Sequence, residues 1–328
     1  MFWRFSRGRG KMFEKKRERV RGKDAIVLSG LRDYSLKDTL ECGQCFRYER
    51  LVFDEDYVEY MTVARGVLVF VGQRSLDELI FYGVSEEELE DVLVPYFALD
   101  VDYSLIREDV LSHTESDFLR SAVASGSGIR ILAQDPWETV FSFIVSQNNN
   151  IPRIRKIVAS LSAAYGRNLA EERGLSDCPK RCGGCPVGEG KLDTGDCLSC
   201  GACYSFPTAE AVAAAPELML PSRPGFRYGY LTDAAEKVAS GAINIDDIRA
   251  HSSYRYTLDT LKGIKGVGDK VASCAALFGF GNLEAFPIDV WMKRAIDTYF
   301  DGSLDPVGLG AYAGVAQQYI FHYIRSLS

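Results

Sequence analysis

The sequence predicts an α+β protein: a small antiparallel β module near the N-terminus, packed on a longer α-helical body that carries a Cys-rich insert. Three observations carry this prediction. Short runs rich in β-branched and aromatic residues lie early in the chain. Helical spacing of apolar residues begins near Ser116 and runs to the C-terminus. Six of nine cysteines fall within one short stretch. The expected division is a basic, disordered arm over 1–23, a β module over 24–110 and a helical domain over 111–328, interrupted by the insert at 176–204.

Tyr57-Val-Glu-Tyr-Met-Thr-Val63 and Val67-Leu-Val-Phe-Val-Gly72 read as strands, with Arg65-Gly66 as the turn between them. Asp135-Pro-Trp-Glu138 reads as a helix start, with Asp as N-cap, Pro at the first helical position and Glu reaching back. Val140, Phe141, Ile144 and Val145 form its apolar face, and Gln147-Asn-Asn-Asn150 ends it, because consecutive Asn are poor helix formers. Helical spacing resumes from Arg153 to Ala164. A later helix is expected with Asp269 as N-cap, a stripe of Val271, Cys274, Ala275 and Phe278, and Gly279 as its stop. No internal repeat is visible.

The chain has 328 residues, 47% hydrophobic and 25% charged, ordinary for a globular protein of two or three domains. No apolar run approaches the ~20 residues of a membrane span, and no signal-peptide pattern is seen, so an intracellular protein is expected, in cytoplasm, nucleoid or nucleus. Residues 1–23 hold ten Lys/Arg against two Glu, a net +8, which leaves −15 on the remainder of a chain whose total is −7. The basic arm is either a tail, a stretch upstream of a start at Met12, or an attraction for nucleic acid. An acidic body still permits a local basic groove, since the field near a cleft matters more than the sum. Three histidines outside any metalloprotease pattern, and no Walker-type loop, disfavour several common enzyme classes.

The most informative stretch is Leu261-Lys-Gly-Ile-Lys-Gly-Val-Gly-Asp-Lys-Val-Ala-Ser-Cys274, followed by Phe286-Pro-Ile-Asp-Val290. Gly263, Gly266 and Gly268 let backbone approach a ligand, Val267 lies between the last two, and the amides of the next helix start favour an anion. A DNA phosphate suits such a site, because one contact fixes register without reading sequence. Alone, the hairpin could equally be a tight helix–helix turn. Lys270 could be a solvated helix-start lysine, and Asp289 could be only the N-cap of a helix over 290–299.

Taken together, this string resembles the helix-hairpin-helix-Gly/Pro/Asp superfamily of DNA glycosylases, in its 8-oxoguanine DNA glycosylase branch. The resemblance runs from about Asp33 to Phe321, around the insert. It implies a helical helix-hairpin-helix glycosylase body in which Lys270 attacks the anomeric carbon as nucleophile and Asp289 stabilises the positive charge on the sugar. A base in a duplex must first be flipped out. The resemblance implies that Cys274 and Phe321 sandwich the flipped base and that Gln317 bonds its pairing edge. It implies that the carbonyl of Gly43, in Glu41-Cys-Gly-Gln-Cys-Phe-Arg47, accepts from the ring N7–H that 8-oxoguanine has and guanine lacks. A wrong base would leave two buried acceptors face to face. Asn148 would fill the vacated space, Arg153 and Arg227 would read the orphaned cytosine, and Phe226 would stack or intrude beside it. Trp291 departs from the pattern where relatives carry a phosphate-touching His, Pro152 alters the Asn loop, and Cys45 replaces a small polar residue.

Cys178, Cys182, Cys185, Cys197, Cys200 and Cys203 fall into two close clusters, a metal-site spacing. A structural zinc is expected, with an iron–sulfur cluster as the alternative and unmetallated thiols as a third reading. No cofactor is expected for catalysis. The expected function is excision of 8-oxoguanine opposite cytosine from double-stranded DNA by a monomer, followed by β-elimination at the abasic site. The competitors are a related glycosylase for another damaged base, and a catalytically idle helix-hairpin-helix DNA-binding module.

Overall fold

The computed structural model describes residues 13–175 and 201–327. Six antiparallel strands form one sheet: β1 (Glu14–Val20), β2 (Lys23–Ser29), β3 (Tyr48–Phe53), β4 (Val58–Ala64), β5 (Val67–Gln73) and β6 (Glu78–Tyr82), in the order β1-β2-β6-β5-β4-β3. The expected β4–β5 hairpin is present, and Arg65 and Gly66 both take positive φ, 48° and 82°, as a two-residue turn between twisted strands requires.

The basic arm is not an arm over its described part. Residues 14–20 pair along their whole length with 23–29, through a turn in which Arg21 and Gly22 have φ of 51° and 79°. The segment EKKRERV shows no apolar alternation because β1 is an edge strand with only Val20 buried. Its cations meet the acidic segment after β6: Lys15 bonds Glu86 at 2.5 Å and Glu90 at 2.7 Å, and Arg17 bonds Glu86 at 2.8 Å. Exposed ion pairs contribute at most about 1 kcal/mol each. Strand pairing therefore holds β1, while the charges keep this edge from recruiting another chain. Residues 1–12 lie outside the described residues.

One face of the sheet buries Ile26, Leu28, Tyr60, Val69, Val71 and Phe81 against Leu36 and Leu40 of the helix Leu36–Glu41 and against Leu89, Leu93 and Phe97. The opposite face at β4 and β5 buries Met61, Val63 and Leu68 under Leu169, Ala170, Ala202 and Cys203. The described residues on either side of 176–200 thus lie on this second face. The helical body begins earlier than 111, since Tyr103, Ile106 and Val110 of the helix Tyr103–Ser112 already belong to its core.

Two helices of that body, Pro136–Ser146 and Asp269–Ala275, pack together and carry the residues of interest. Asp135 caps the first as expected, accepting from the Glu138 amide at 2.9 Å. The Glu138 side chain does not reach back. It pairs with Arg47 at 3.1 Å in a buried bridge between body and sheet, and burial pushes its carboxyl above the usual range.

Candidate active site

The chain after Leu261 makes a tight turn and enters the helix Asp269–Ala275. Gly266 has φ +78°, and a Cβ there would lie 2.4 Å from the Tyr230 ring, so both conformation and space require glycine. A Cβ on Gly268 would meet nothing within 4 Å, so this side of the turn is open to an approaching ligand. Val267 is buried and anchors the turn, its amide bonded to Ile264 O at 3.1 Å, while Gly263 O accepts from Lys237 at 2.7 Å. Gly268, not Asp269, is the N-cap. Asp269 is the first helical residue, where its carboxylate suits the helix dipole and bonds Lys262 at 2.7 Å. Gly279 does not stop the helix either. The chain continues as a π turn over Ala276–Phe280 and ends at Gly281, φ +76°. Gly279 is needed for contact, since a Cβ would lie 3.0 Å from Pro136 Cα and from Thr139 Cβ.

Lys270 and Asp289 line one cavity of about 420 Å³, together with Gly43, Cys274, Gln317 and Phe321. The sequence-predicted catalytic pair and all four base-binding candidates are therefore brought together. The floor is aromatic: Phe46 meets Phe143 edge-on at 5.4 Å, and Phe143 stacks on Phe278 at 5.6 Å. The Lys270 amine lies 5.2 Å above the Phe143 ring and donates to Ser146 Oγ at 3.3 Å. Asp289 caps the helix Val290–Tyr299, with Oδ1 accepting from the Trp291 amide at 3.0 Å and the Met292 amide at 2.9 Å. The cap fixes the carboxylate at the cavity wall, so its structural and chemical readings coexist. Burial pushes the Cys274 thiol up to about 11 against the pull of Lys270, so it faces the cavity as a neutral, polarisable surface. Gln317 is buried and its Oε1 has no partner among the described residues, which leaves an acceptor for a base edge.

Gly43 has φ +85° and packs against Phe321. Side chains that sequence reading did not single out fix its position. Gln318 donates to Cys42 O at 2.9 Å and Gln134 donates to Gln44 O at 2.7 Å. The Gln44 side chain donates to Thr39 O and Arg130 O and accepts from the Leu132 amide. The carbonyls on either side of Gly43 are thus occupied, and the Gly43 carbonyl between them has no donor among the described residues. A Gly43→Ala protein is expected to lose roughly 1–2 kcal/mol of stability, the cost of left-handed backbone for an L side chain. It should also bind 8-oxoguanine duplex less selectively over guanine duplex. Thermal unfolding and paired binding titrations check this, and an unaltered selectivity would remove the carbonyl from lesion reading.

The opposite wall is the Asn loop. Asn148 is exposed with φ +47°, and Arg153 is exposed at the start of the helix Ile151–Tyr165. Phe226 is 55% exposed and meets Tyr230 edge-on at 6.0 Å, in reach of a partner as a wedge must be. Arg227 is turned toward the Asn loop. It is 3% exposed, and its guanidinium donates to Gln147 O at 2.9 Å, to Asn148 O at 2.9 Å and to Pro224 O at 3.1 Å rather than projecting outward. Sequence reading also missed Ser146 and Arg325. Ser146 accepts from the Lys270 amine, and Arg325 lies over Phe321 at the cavity rim. Trp291 lines the cavity as well, so its position is kept although its chemistry differs from the expected phosphate-touching His.

Cys178, Cys182, Cys185, Cys197 and Cys200 lie outside the described residues, and Cys203 packs its sulfur 3.7 Å from Met61 Sδ. Among the described residues no group of three or more His, Cys, Asp or Glu is placed to hold a metal.

Comparison with known proteins agrees with this arrangement. The 8-oxoguanine DNA glycosylase N-terminal domain family matches residues 26–140, a span that contains Gly43 and the Asp135 cap. An N-glycosylase/DNA lyase of Saccharomyces cerevisiae is 30% identical over 295 residues, covering 83% of this chain and 69% of that protein. The Clostridium acetobutylicum 8-oxoguanine glycosylase/lyase, solved with duplex DNA containing cytosine opposite 8-oxoguanine, superposes with a TM-score of 0.76 at 30% identity over 96% of this chain and 98% of that chain. A 3-methyladenine DNA glycosylase of Archaeoglobus fulgidus shares the fold, with a TM-score of 0.64 at 17% identity over 92% of this chain and 99% of that chain. A likeness that spans most of both chains, together with a cavity that gathers an amine, a carboxylate and a base-sized slot, makes this protein a member of the 8-oxoguanine DNA glycosylase/lyase family.

Proposed function

We propose that this chain excises 8-oxoguanine opposite cytosine from duplex DNA and then cleaves the abasic site. The enzyme is a bifunctional N-glycosylase and DNA lyase of base-excision repair. The observation that carries this reading is the placement of Lys270 and Asp289 in one cavity with Gly43, Cys274, Gln317 and Phe321.

Each residue has a step. The flipped base enters between Cys274 and Phe321, with Gln317 on its pairing edge and the Gly43 carbonyl accepting from N7–H. As the bond between base and C1′ breaks, the Lys270 amine forms a bond to C1′ and the electron pair leaves with the base. Asp289 offsets the positive charge that develops on the sugar. The ring opens to a protonated Schiff base, which acidifies the 2′ hydrogen, and loss of that proton expels the 3′ phosphate. The turn over Gly263, Gly266, Val267 and Gly268 contacts phosphate, while Asn148 and Phe226 occupy the vacated stack and Arg153 and Arg227 read cytosine.

Work on a chromosome calls for an enzyme inside the cell, in cytoplasm and nucleoid or in the nucleus. No described helix is long and apolar enough to cross a membrane. Borohydride trapping on an 8-oxoguanine:cytosine duplex separates an enzyme from an idle DNA-binding module, and a panel of lesions separates it from a glycosylase for alkylated bases. No covalent adduct and no base release on that duplex would overturn the reading.

The Cys-rich insert is proposed to fold around zinc, on the support of its cysteine spacing alone. The full chain, purified without chelator, is expected to contain zinc by elemental analysis. Iron with visible absorbance would indicate a cluster instead, and metal-free, fully active protein would leave only the thiol reading.

A further inference from the structure

We infer that Arg325 binds one of the two phosphates flanking the flipped nucleotide and so anchors that nucleotide in the slot; this rests on the function proposed above. A nucleotide swung out of the duplex brings its phosphates to the cavity mouth, where a cation is the natural partner. Among the described residues that line the cavity, Lys270 and Arg325 are the cations and Asp289 is the anion. Lys270 must be without its extra proton to attack C1′, so it does not also serve as the phosphate's counter-charge. A guanidinium keeps its charge, and its planar fork meets two phosphate oxygens at once. Trp291, which lines the same cavity, supplies no charge.

Helical spacing sets where Arg325 stands. Gln317, Phe321 and Arg325 are four residues apart on the helix Ala313–Ser326, so they form one column, and all three line the cavity. Eight residues of helix span about 12 Å, enough to run from the pairing edge of a nucleotide to its phosphate. Gln317 takes the pairing edge and Phe321 the ring face. In a purine the pairing edge lies opposite the nitrogen that bears the sugar, so the sugar and its phosphates lie toward Arg325. The arginine is also available. Its guanidinium is 5.2 Å over the Phe321 ring, a contact that orients it without using its N–H donors. Arg47, Arg130 and Arg155 also lie over aromatic rings, but each donates to a carboxylate or a backbone carbonyl. The half-buried Arg325 side chain has no such acceptor among the described residues.

A methylphosphonate removes the charge from one chosen phosphate, which allows a cycle between protein and substrate. Full-length wild-type, Arg325→Gln and Arg325→Lys proteins are tested on 8-oxoguanine:cytosine duplexes with a natural backbone, or with one methylphosphonate immediately 5′ or 3′ of the lesion. Affinity is measured with a 2′-fluoro lesion nucleotide, which resists base release, and single-turnover release with the ordinary lesion. On the natural duplex Arg325→Gln should bind about tenfold more weakly, the scale of one charge-assisted hydrogen bond. The methylphosphonate at the contacted phosphate should cost the wild type a similar factor and cost Arg325→Gln almost nothing more. At the other phosphate both proteins should lose equally. Arg325→Lys should keep part of the affinity, and the slope of log affinity against log salt should fall in magnitude by about one in Arg325→Gln. If both methylphosphonates cost Arg325→Gln as much as they cost the wild type, Arg325 touches neither phosphate and only supports the Phe321 ring, which overturns the inference. Should Arg325→Gln not fold, the Lys variant carries the same cycle. A wild-type protein that binds these duplexes and releases no base would instead overturn the proposed function, and the affinity cycle would still decide for Arg325.

Discussion

Lys270→Gln abolishes the borohydride-trapped adduct and slows base release by about a thousandfold or more, the scale on which loss of an activated nucleophile costs an enzyme. The expectation follows from the surroundings of the amine. It rises from an aromatic floor into the cavity, with Ser146 Oγ as its hydrogen-bond partner and no ion-pair partner among the described residues. The Gln side chain has nearly the same reach and can still donate to Ser146 Oγ, which itself donates to Phe143 O at 2.8 Å. No buried donor is orphaned, so unfolding free energy should change by less than about 1 kcal/mol. Affinity for the lesion duplex should persist, because the turn, the Asn loop and the base slot are untouched. An adduct of undiminished yield would identify a different amine as the nucleophile and remove Lys270 from the mechanism.

What was legible in the sequence was what local geometry determines. The turn and helix start from Leu261 to Cys274 are marked by glycines, Gly266 among them with φ +78°, and Lys270 and Cys274 share a face by helical spacing alone. The Arg65-Gly66 turn and the Asp135 cap are local in the same sense. The misses are set by partners far away in the chain. β1 carries no apolar pattern and is recognisable only from its pairing with β2 and the acidic residues near Glu86. The partner of Arg227 is a loop 80 residues earlier, and a charged residue beside an aromatic wedge gives no sign that it will turn inward. Gln318 is 276 residues from the carbonyl it fixes. The family pattern located Gly43 but not the glutamines that aim it. Asp269 and Gly268 both satisfy cap preferences, and the backbone of Gly268, which is extended, decides between them.

Replacing Asp289 by Asn and by Ala should separate two functions held by one carboxylate. Oδ1 accepts from two amides at the start of the helix Val290–Tyr299, while the cavity receives the group's charge. Asn is as good an N-cap as Asp, so Asp289→Asn should retain the helix and unfold within a few tenths of a kcal/mol of wild type. It removes the negative charge that offsets the developing oxocarbenium. Loss of one such preorganised stabiliser costs roughly 10²–10³ in rate, about 2.7–4 kcal/mol. Asp289→Ala loses the cap as well and should be destabilised by about 0.5–2 kcal/mol beyond its catalytic defect. The base-release rates of the two variants should therefore be similar and their denaturation midpoints should differ. If the Asn protein instead keeps near-wild-type turnover, the charge does no chemistry and Asp289 is only a cap. If the two variants lose rate in proportion to lost stability, the helix start rather than the carboxylate positions the reacting sugar. Borohydride trapping adds an internal check. Asp289→Asn should still yield the adduct on a preformed abasic site, where the base has already gone and little oxocarbenium charge has to be offset, and should yield it slowly on the intact lesion.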